Sequence, residues 1–286
     1  MKTLLSFGHG YSARALARRL IPQGWRVIGT TRSADKFEVL RDEGVTPVLF
    51  PGGDLAAAFA AATHVLISPA PTGDGDPVLA AYHDEIARIA PRLQWAGYLS
   101  TTGVYGDHQG GWVDEETELL PSTRRGQLRK AAEADWRSVP GLPLHIFRLA
   151  GIYGPGRGPF AKVRAGTAKR VIKQGQVFSR IHVEDIARIL EASIARPNPG
   201  QAYNMCDDDP APPQDVMGYA AALLALPMPP EGDFDTAEMS TMARSFYAEN
   251  KRVRNDRIKD ELGVKLIYPN YRVGLQALLD VDPDLR

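Results

Sequence analysis

The sequence predicts an α/β fold: a doubly wound parallel sheet with helices on both faces, together with a small α-rich lobe. Two observations lead to this prediction. Short apolar runs alternate with segments of helical spacing through the first 150 residues, and that alternation is typical of right-handed β-α-β units. The chain is also long enough, at 286 residues, to bury apolar side chains on both faces of a sheet.

Strands and helices are predicted in regular succession. The strands are expected at residues 3–7, 25–30, 45–50, 64–68, 97–100 and 144–149. The helices between them are expected at residues 13–21, 34–43, 55–62, 78–93 and 125–136. In sheets of this kind ligands bind beyond the carboxyl ends of the strands, where the strand order reverses.

The composition changes after residue 150. Turn-rich segments at residues 151–159 and 207–213 precede predicted helices at 213–226 and 250–262. We predict that residues 1–150 form a cofactor-binding domain to which residues 176–206 return, and that residues 151–175 and 207–286 form a substrate lobe. The acidic triplet at 207–209 is interpreted as a capping loop, because no histidine or further acidic residue follows at a recognisable spacing. No metal site is predicted.

A glycine-rich turn lies between the first predicted strand and the first predicted helix. Residues 6–13, SFGHGYSA, have the spacing G-x-G-x-x-A. Gly8 permits the tight turn, Gly10 lets the backbone approach a phosphate, and Ala13 lets the helix pack on the strand. The N–H groups of the helix start suit a pyrophosphate. We expect a dinucleotide to bind at Gly8, Gly10, Tyr11, Ser12 and Ala13; the alternative is a glycine turn without a ligand.

The end of the second strand bears on the choice of dinucleotide. NAD-binding proteins have an acidic residue about 20 residues after the glycines, but Thr30 occupies that position here and is followed by Thr31, Arg32 and Ser33. A guanidinium with neighbouring hydroxyls would receive the 2′-phosphate of NADP. We therefore predict that Thr31, Arg32 and Ser33 bind this phosphate and that NADP is preferred over NAD. The alternative is that Arg32 is an ordinary solvated residue.

The composition argues against several classes of partner. The 34 basic residues balance 34 acidic ones without forming a basic block, which disfavours nucleic acid and anionic membranes. A single cysteine, Cys206, rules out an intramolecular disulfide and fits a reducing compartment. No apolar run approaches the roughly 18 residues that would span a bilayer. We expect a cytoplasmic protein whose partner is a small-molecule substrate.

Five further segments resemble the extended short-chain dehydrogenase/reductases, the NAD-dependent epimerase/dehydratase family. In chain order they are residues 99–106 (LSTTGVYG), 148–155 (RLAGIYGP), 180–187 (RIHVEDIA), 202–205 (AYNM) and 250–253 (NKRV). The resemblance runs over nearly the whole chain and implies a Rossmann-type fold with a nicotinamide cofactor. Relatives often form homodimers, and the sequence leaves the oligomeric state open.

The resemblance also implies a catalytic triad, which this sequence matches only in part. The family uses a Ser or Thr after the fifth strand and a Tyr-x-x-x-Lys on the next helix, where the ammonium lowers the pKa of the phenol. Thr101 matches the first group, and Lys130 matches the lysine that also binds the nicotinamide ribose. The residue four positions before Lys130 is Gly126. By this alignment the tyrosine is missing, as in atypical members of the superfamily.

Another group would then have to supply the proton. Tyr105 is the first candidate because it lies near the end of the fifth strand, although in most relatives this aromatic residue only packs. Tyr153 is a weaker candidate of the same kind, and Lys130 could serve if it were desolvated. His182 is interpreted as a structural histidine.

Two functions stay open at this point. The first is an NADP-dependent oxidoreductase or epimerase-like enzyme that acts on a small carbonyl or hydroxyl compound; the alternative is a non-catalytic NADP-binding sensor or scaffold. The short segment from residue 155 to 181 argues against a nucleotide sugar. Basic residues in and beside this segment could form a rim for a small anionic substrate, or simply a solvated helix face: Arg157, Lys162, Arg164, Lys169 and Arg170.

Overall fold

The computed structural model of the chain describes residues 1–281, without the side chain of Met242. The strands are β1 Thr3–Phe7, β2 Arg26–Thr31, β3 Val45–Leu49, β4 His64–Ile67, β5 Trp95–Thr101, β6 Trp112–Val113, β7 Leu144–Leu149, β8 Gly151–Tyr153, β9 Arg170–Ile172, β10 Arg180–His182, β11 Ala202–Met205, β12 Glu231–Asp233 and β13 Arg252–Val253. The α-helices are α1 Tyr11–Leu20, α2 Phe37–Asp42, α3 Ala56–Ala61, α4 Pro77–Ile89, α5 Arg124–Arg137, α6 Phe160–Arg164, α7 Val183–Ala195, α8 Pro213–Leu223, α9 Thr241–Phe246, α10 Asp256–Asp260 and α11 Tyr271–Val281. Short 3-10 helices lie at Ile21–Gln23, Ala34–Lys36, Ala90–Arg92 and Thr102–Tyr105.

A seven-stranded sheet forms the centre of the molecule. Its strand order is β11-β7-β5-β4-β1-β2-β3, and all neighbouring pairs are parallel. The chain runs outward from β1 in both directions, so the order reverses between β1 and β4. This is the doubly wound arrangement, and the predicted fold class is confirmed.

Apolar side chains cover both faces of this sheet. Along β1, Leu4 belongs to one buried cluster, while Leu5 and Phe7 belong to the other, because successive side chains of a strand point to opposite faces. The first cluster continues into α1 and α7, and the second into α3, α4 and α5. Burial of each such leucine or phenylalanine stabilises the fold by about 1.5–3 kcal/mol.

A third buried cluster holds the α-rich lobe together. It joins α6, α8 and α11 through side chains such as Phe160, Val216 and Leu275. The predicted helix at 213–226 is present as α8, which ends at Leu223. The predicted helix at 250–262 is wrong: strand β13 pairs with β6 there, and only the five residues of α10 are helical. Within residues 1–281, no helix is both long enough and apolar enough to cross a membrane.

Candidate cofactor and substrate site

The glycine turn after β1 is tied to the second strand by hydrogen bonds. Gly8 has a φ of +65°, and its backbone N–H donates to Thr30 Oγ1 at 2.9 Å. The N–H of His9 donates to the Thr30 carbonyl at 2.8 Å. A Cβ on Gly8 would lie 3.1 Å from the ring of Pro69, just after β4. The positive φ and this close contact both require glycine here.

Helix α1 begins without a side-chain cap. Gly10 occupies the N-cap position, and the first turn contains no acidic residue. Within the described part of the chain, no acceptor pairs with the backbone N–H groups of Tyr11, Ser12 and Ala13. A Cβ on Gly10 would meet no atom closer than 3.7 Å, so the space in front of these amides is open. The turn therefore fits the phosphates of a dinucleotide.

His9, inside the glycine motif, is buried and makes no polar contact through its ring. Neither ring nitrogen has a hydrogen-bond partner among residues 1–281, and burial lowers the pKa of the imidazole to about 4. A Cβ on Gly29 would fall 2.7 Å from this ring. His9 therefore packs as a neutral ring on β2, and Gly29 makes room for it.

The three residues predicted to bind the 2′-phosphate differ in the hydrogen bonds that their side chains make within the protein. Thr31 is buried, and its hydroxyl lies 3.4 Å from both the backbone nitrogen and the carbonyl oxygen of Ser33. Ser33 caps the next 3-10 turn: its hydroxyl donates to Asp35 Oδ2 at 2.9 Å and accepts from the Asp35 N–H. Arg32 is exposed, and no partner for its guanidinium appears in residues 1–281. Arg32 is thus the residue of the three with free donors.

A cavity of about 730 Å³ opens at the carboxyl ends of β5 and β7. Thr101, the last residue of β5, lines it. The hydroxyl oxygen of Thr101 accepts a hydrogen bond from the Gly103 N–H at 3.1 Å, which leaves the hydroxyl hydrogen available to a ligand. Ala70 and Pro71 also line the cavity and follow the proline that packs on Gly8. The glycine turn and Thr101 therefore lie at the same edge of the sheet.

Helix α5 presents two arginines to this cavity. Arg125 and Arg129 both line it, since residues four positions apart share a helix face. Arg129 Nη1 donates to the Leu99 carbonyl at 2.6 Å and to the Tyr98 hydroxyl at 2.9 Å, which fixes it against β5. The guanidinium of Arg125 lies over the ring of Phe246, 4.5 Å from its centroid. The sequence prediction missed both residues.

The structure corrects the predicted position of Lys130. Lys130 is exposed and lines a separate shallow groove beside Leu120, where its ammonium donates to the Leu119 carbonyl at 2.7 Å. Gly126 does not face the cavity either: a Cβ there would lie 2.6 Å from the Gly103 carbonyl oxygen. Each residue of a helix is rotated by 100° from its neighbour, so a shift of one position moves a side chain off the cavity face.

Tyr105 is not available as a proton donor. Its ring is fully buried, its hydroxyl donates to Asn204 Oδ1 at 2.7 Å and accepts from Arg148 Nη1 at 2.9 Å, and burial raises its pKa to about 12. Tyr153 borders the cavity, but its hydroxyl donates to the Asn270 carbonyl at 3.4 Å, and burial raises its pKa. His182 caps α7 by accepting from the Glu184 N–H, which is the structural role expected for it.

A buried ionic network lies directly beneath Thr101. Glu133 of α5 accepts hydrogen bonds from the Ser100 hydroxyl at 2.5 Å and from Arg148 Nη2 at 2.9 Å. Arg148, on β7, also donates to the Tyr105 hydroxyl. The network joins α5, β5 and β7, and thereby fixes the helix that carries Arg125 and Arg129 against the strand that ends at Thr101.

Comparison with known proteins identifies relatives over nearly the full chain. No protein-family model matches it. Protein YeeZ of Escherichia coli strain K12 is 30% identical over 285 residues, which cover 94% of this chain and 97% of YeeZ. The chain belongs to the YeeZ family. A solved structure from Silicibacter pomeroyi, of a conserved protein whose function is unknown, is 62% identical and has a TM-score of 0.94 over 98% of this chain and 99% of that one.

More distant solved structures share the fold. dTDP-glucose 4,6-dehydratase from Bacillus anthracis, in complex with NAD, has a TM-score of 0.77 at 14% identity over 100% of this chain and 98% of that one. The human epimerase family protein SDR39U1, with NADPH, has a TM-score of 0.73 at 15% identity over 98% of this chain and 99% of that one. The resemblance to the epimerase/dehydratase superfamily is thus confirmed at the level of the fold.

The predicted basic rim of this YeeZ-family site is present in part. Arg157 and Lys162 line the cavity, whereas Arg164 and Lys169 do not. Arg170 forms an ion pair with Glu231 at 2.6 Å. The acidic triplet at 207–209 shows no metal cluster, and no group of metal-ligating side chains occurs elsewhere in residues 1–281.

Proposed function

We propose that the protein binds a nicotinamide dinucleotide, with a preference for NADP, and acts as an oxidoreductase or epimerase-like enzyme on a small carbonyl or hydroxyl compound. The observation that carries the proposal is the open, uncapped N-terminus of α1 beside a cavity that contains Thr101. Both lie at the carboxyl edge of a doubly wound sheet, where such proteins bind nucleotides. The likeness to structures solved with NAD and with NADPH supports the nicotinamide class.

The proposed cofactor contacts follow from the open donors of the site. The backbone N–H groups of residues 11–13 would hold the diphosphate, and the free guanidinium of Arg32 would bind the 2′-phosphate of NADP. Arg129, which contacts β5, would take the role that the family resemblance gives to the lysine. When bound, the nicotinamide would supply a hydride donor or acceptor.

The side chains near Thr101 then have distinct roles. The Thr101 hydroxyl would donate a hydrogen bond to the substrate oxygen. Arg125 and Arg129 have the four-residue spacing of the family's Tyr-x-x-x-Lys, and we propose that they replace those two residues. A guanidinium keeps its proton at neutral pH, so Arg125 would stabilise negative charge without acting as the acid. The proton would come from water or from the substrate itself.

Substitution of Gly10 tests the cofactor site. Because a Cβ on Gly10 has at least 3.7 Å of clearance and φ is −107°, Gly10→Ala should fold and should lower the thermal unfolding temperature only by the modest amount that alanine costs at an N-cap. The same methyl group would obstruct a phosphate that approaches the turn, so we expect NADPH affinity by calorimetry to fall at least tenfold. Failure of NADPH and NADH to bind the wild-type protein at millimolar concentration would refute the proposal.

The cofactor preference has its own measurement. The wild-type protein should bind NADPH more tightly than NADH, and Arg32→Asp should reverse that order because a carboxylate repels the 2′-phosphate. Charge-assisted hydrogen bonds of this kind contribute about 1.5–3 kcal/mol, or roughly 10- to 150-fold in affinity. If Arg32→Asp has the same ratio of NADPH affinity to NADH affinity as the wild-type protein, Arg32 is a solvated residue and does not bind the 2′-phosphate.

A non-catalytic NADP-binding sensor or scaffold is the second candidate. The presence of arginines at both cavity-facing positions of α5 favours this candidate, because a guanidinium is not a general acid. A broad panel of carbonyl compounds with NADPH distinguishes the two candidates. The enzyme hypothesis expects turnover that Thr101→Val lowers, whereas the second candidate expects NADPH binding without turnover.

A further inference from the structure

Positive charge is concentrated in the cavity although the chain as a whole is neutral. The chain has 34 basic and 34 acidic residues. Six cationic side chains line the cavity against one carboxylate, that of Glu249. Such a concentration of like charge lowers the stability of the protein unless each cation has a partner. The partners of these cations therefore indicate which charges are left for a ligand.

Three of the six cations are satisfied within the protein. Lys251 forms a 2.7 Å ion pair with Glu249. Arg129 donates to the backbone and hydroxyl acceptors described above. Arg180 donates to two backbone carbonyls and interacts electrostatically with the carboxylate of Asp207. These three side chains are fixed by internal contacts.

The other three cations have no carboxylate partner in the described part of the chain. Arg157 lies over the ring of Tyr11, 5.7 Å from its centroid, and Tyr11 is the first residue of α1. Arg157 therefore belongs to the cofactor side of the cavity. Arg125 contacts the face of Phe246, and Lys162 of α6 makes no side-chain hydrogen bond or ion pair within residues 1–281.

Arg125 is suited to receive an oxyanion. Its guanidinium lies over the Phe246 ring and has no hydrogen-bond or ion-pair partner within residues 1–281, and free guanidinium donors bind a carboxylate or phosphate bidentately. Apolar side chains such as Leu149, Ile152 and Val216 form other parts of the cavity wall. A wall of this kind lowers the local dielectric constant and strengthens the attraction between a cation and an anion.

We propose that the cavity recognises a small substrate through an oxyanion group, a carboxylate or a phosphate, that is bound by Arg125 and Lys162. This assignment rests on the proposed function, because the substrate would lie beside Thr101. It extends that function by naming the substrate class as small anions. Arg125 and Lys162 are specificity-determining residues in this scheme, and Thr101 contacts the oxygen that reacts.

The test uses three small probes and the full-length protein saturated with NADPH. Oxalate carries carboxylates, inorganic phosphate represents the phosphate group, and oxamide is the neutral counterpart of oxalate. Calorimetry should detect oxalate or phosphate, and the tighter of the two identifies the group. Oxamide should bind at least tenfold more weakly than the better anion. Equal binding of oxamide, or no binding of either anion at 10 mM, would overturn the assignment.

Matched variants locate the site. Arg125→Gln and Lys162→Gln should each weaken binding of the better anion by 10- to 100-fold. Arg124→Gln and Arg164→Gln remove the same charges from neighbouring positions that do not line the cavity, so they should change affinity by less than twofold. Arg125→Lys keeps the charge without the bidentate fork and should give an intermediate affinity. Equal effects of the cavity variants and their controls would show non-specific electrostatics and refute the proposal.

The outcome is separable from that of the cofactor proposal. The anion titrations are repeated without NADPH, and thermal unfolding confirms that each variant is folded. If NADPH does not bind but anion binding depends on Arg125, only the cofactor proposal fails. If NADPH binds and neither anion does, only the anion site is refuted.

Discussion

The ion pair between Glu133 and Arg148 offers a quantitative test of how α5 is held. Glu133 is 2% exposed and Arg148 is 4% exposed. The carboxylate accepts at both oxygens, from the Ser100 hydroxyl at 2.5 Å and from Arg148 at 2.9 and 3.3 Å. The Glu133→Gln variant keeps the shape but replaces one acceptor with an NH₂ donor, which faces another donor. It also leaves the buried guanidinium without a counter-charge.

The expected loss is about 3–5 kcal/mol in the free energy of unfolding, the range observed when one partner of a buried pair is removed. That is a large part of the roughly 5–15 kcal/mol by which a domain is stable. Urea unfolding followed by circular dichroism measures it. Asp135→Asn, the same chemical change at an exposed position two residues further along α5, is the control and should stay within about 0.5 kcal/mol of wild type.

A double variant separates the pair from its surroundings. Glu133→Leu combined with Arg148→Met removes both charges. We expect the double variant to lose less free energy of unfolding than the two single variants lose together. If Glu133→Gln destabilises the protein no more than Asp135→Asn does, the carboxylate is not a structural partner of Arg148. The account of how α5 is fixed against β5 and β7 would then be wrong.

Three further predictions concern a buried histidine, a buried tyrosine and the glycine turn. The His145 ring accepts a hydrogen bond from the Asn198 N–H at 2.8 Å, and burial lowers the pKa of this imidazole from 6.5 to about 4. The neutral ring therefore stabilises the folded state fully above pH 6.5, and this stabilisation is lost as the pH falls toward 4. In urea titrations, the stability difference between wild type and His145→Gln should therefore shrink by up to about 1.4 kcal/mol per pH unit across that window, and a constant difference would contradict this. Tyr105→Phe should cost about 1–3 kcal/mol of stability because two partners of the hydroxyl lose a hydrogen bond, while any NADPH oxidation keeps its wild-type rate; a stable but inactive variant would restore Tyr105 as a catalytic candidate. Gly8→Ala should be more destabilising than Gly24→Ala in thermal unfolding, since both have positive φ but only Gly8 has a proline ring 3.1 Å from the added Cβ; equal losses would mean that the proline yields.

Local sequence patterns were sufficient for the sheet and for the first loop. The first strands and α1 follow from apolar runs and helical spacing, and the glycine turn follows from the spacing of Gly8, Gly10 and Ala13. These features are marked by short local patterns in the sequence, although the parallel pairing itself joins strands that are tens of residues apart. The helix expected at 250–262 failed because β13 there pairs with β6, about 140 residues earlier, and local propensity does not report such a distant partner.

The face of α5 could not be read from motif alignment alone. The chain contains adjacent cations at 129 and 130, and the alignment selected Lys130 because lysine is the family residue. A usable signal was present: Ala132 and Trp136 mark the inward face, and steps of three and four residues back from them lead to Arg129 and Arg125. Counted from these two apolar residues, the periodicity favours Arg129 over Lys130.

By itself, the sequence determined the parallel α/β architecture, the glycine turn and the absence of an acidic residue at the end of β2. The architecture is encoded in the alternation of apolar runs and helical segments along residues 1–150, and the other two features in a few consecutive residues. Only the tertiary structure decided which charged groups surround Thr101. It buried Tyr105 against Asn204 and Arg148, turned Lys130 toward a separate groove, and brought Arg125 together with Lys162 of a distant helix in one cavity. Side-chain direction on a helix changes by 100° per residue, so the chemistry of this site depends on how α5 packs.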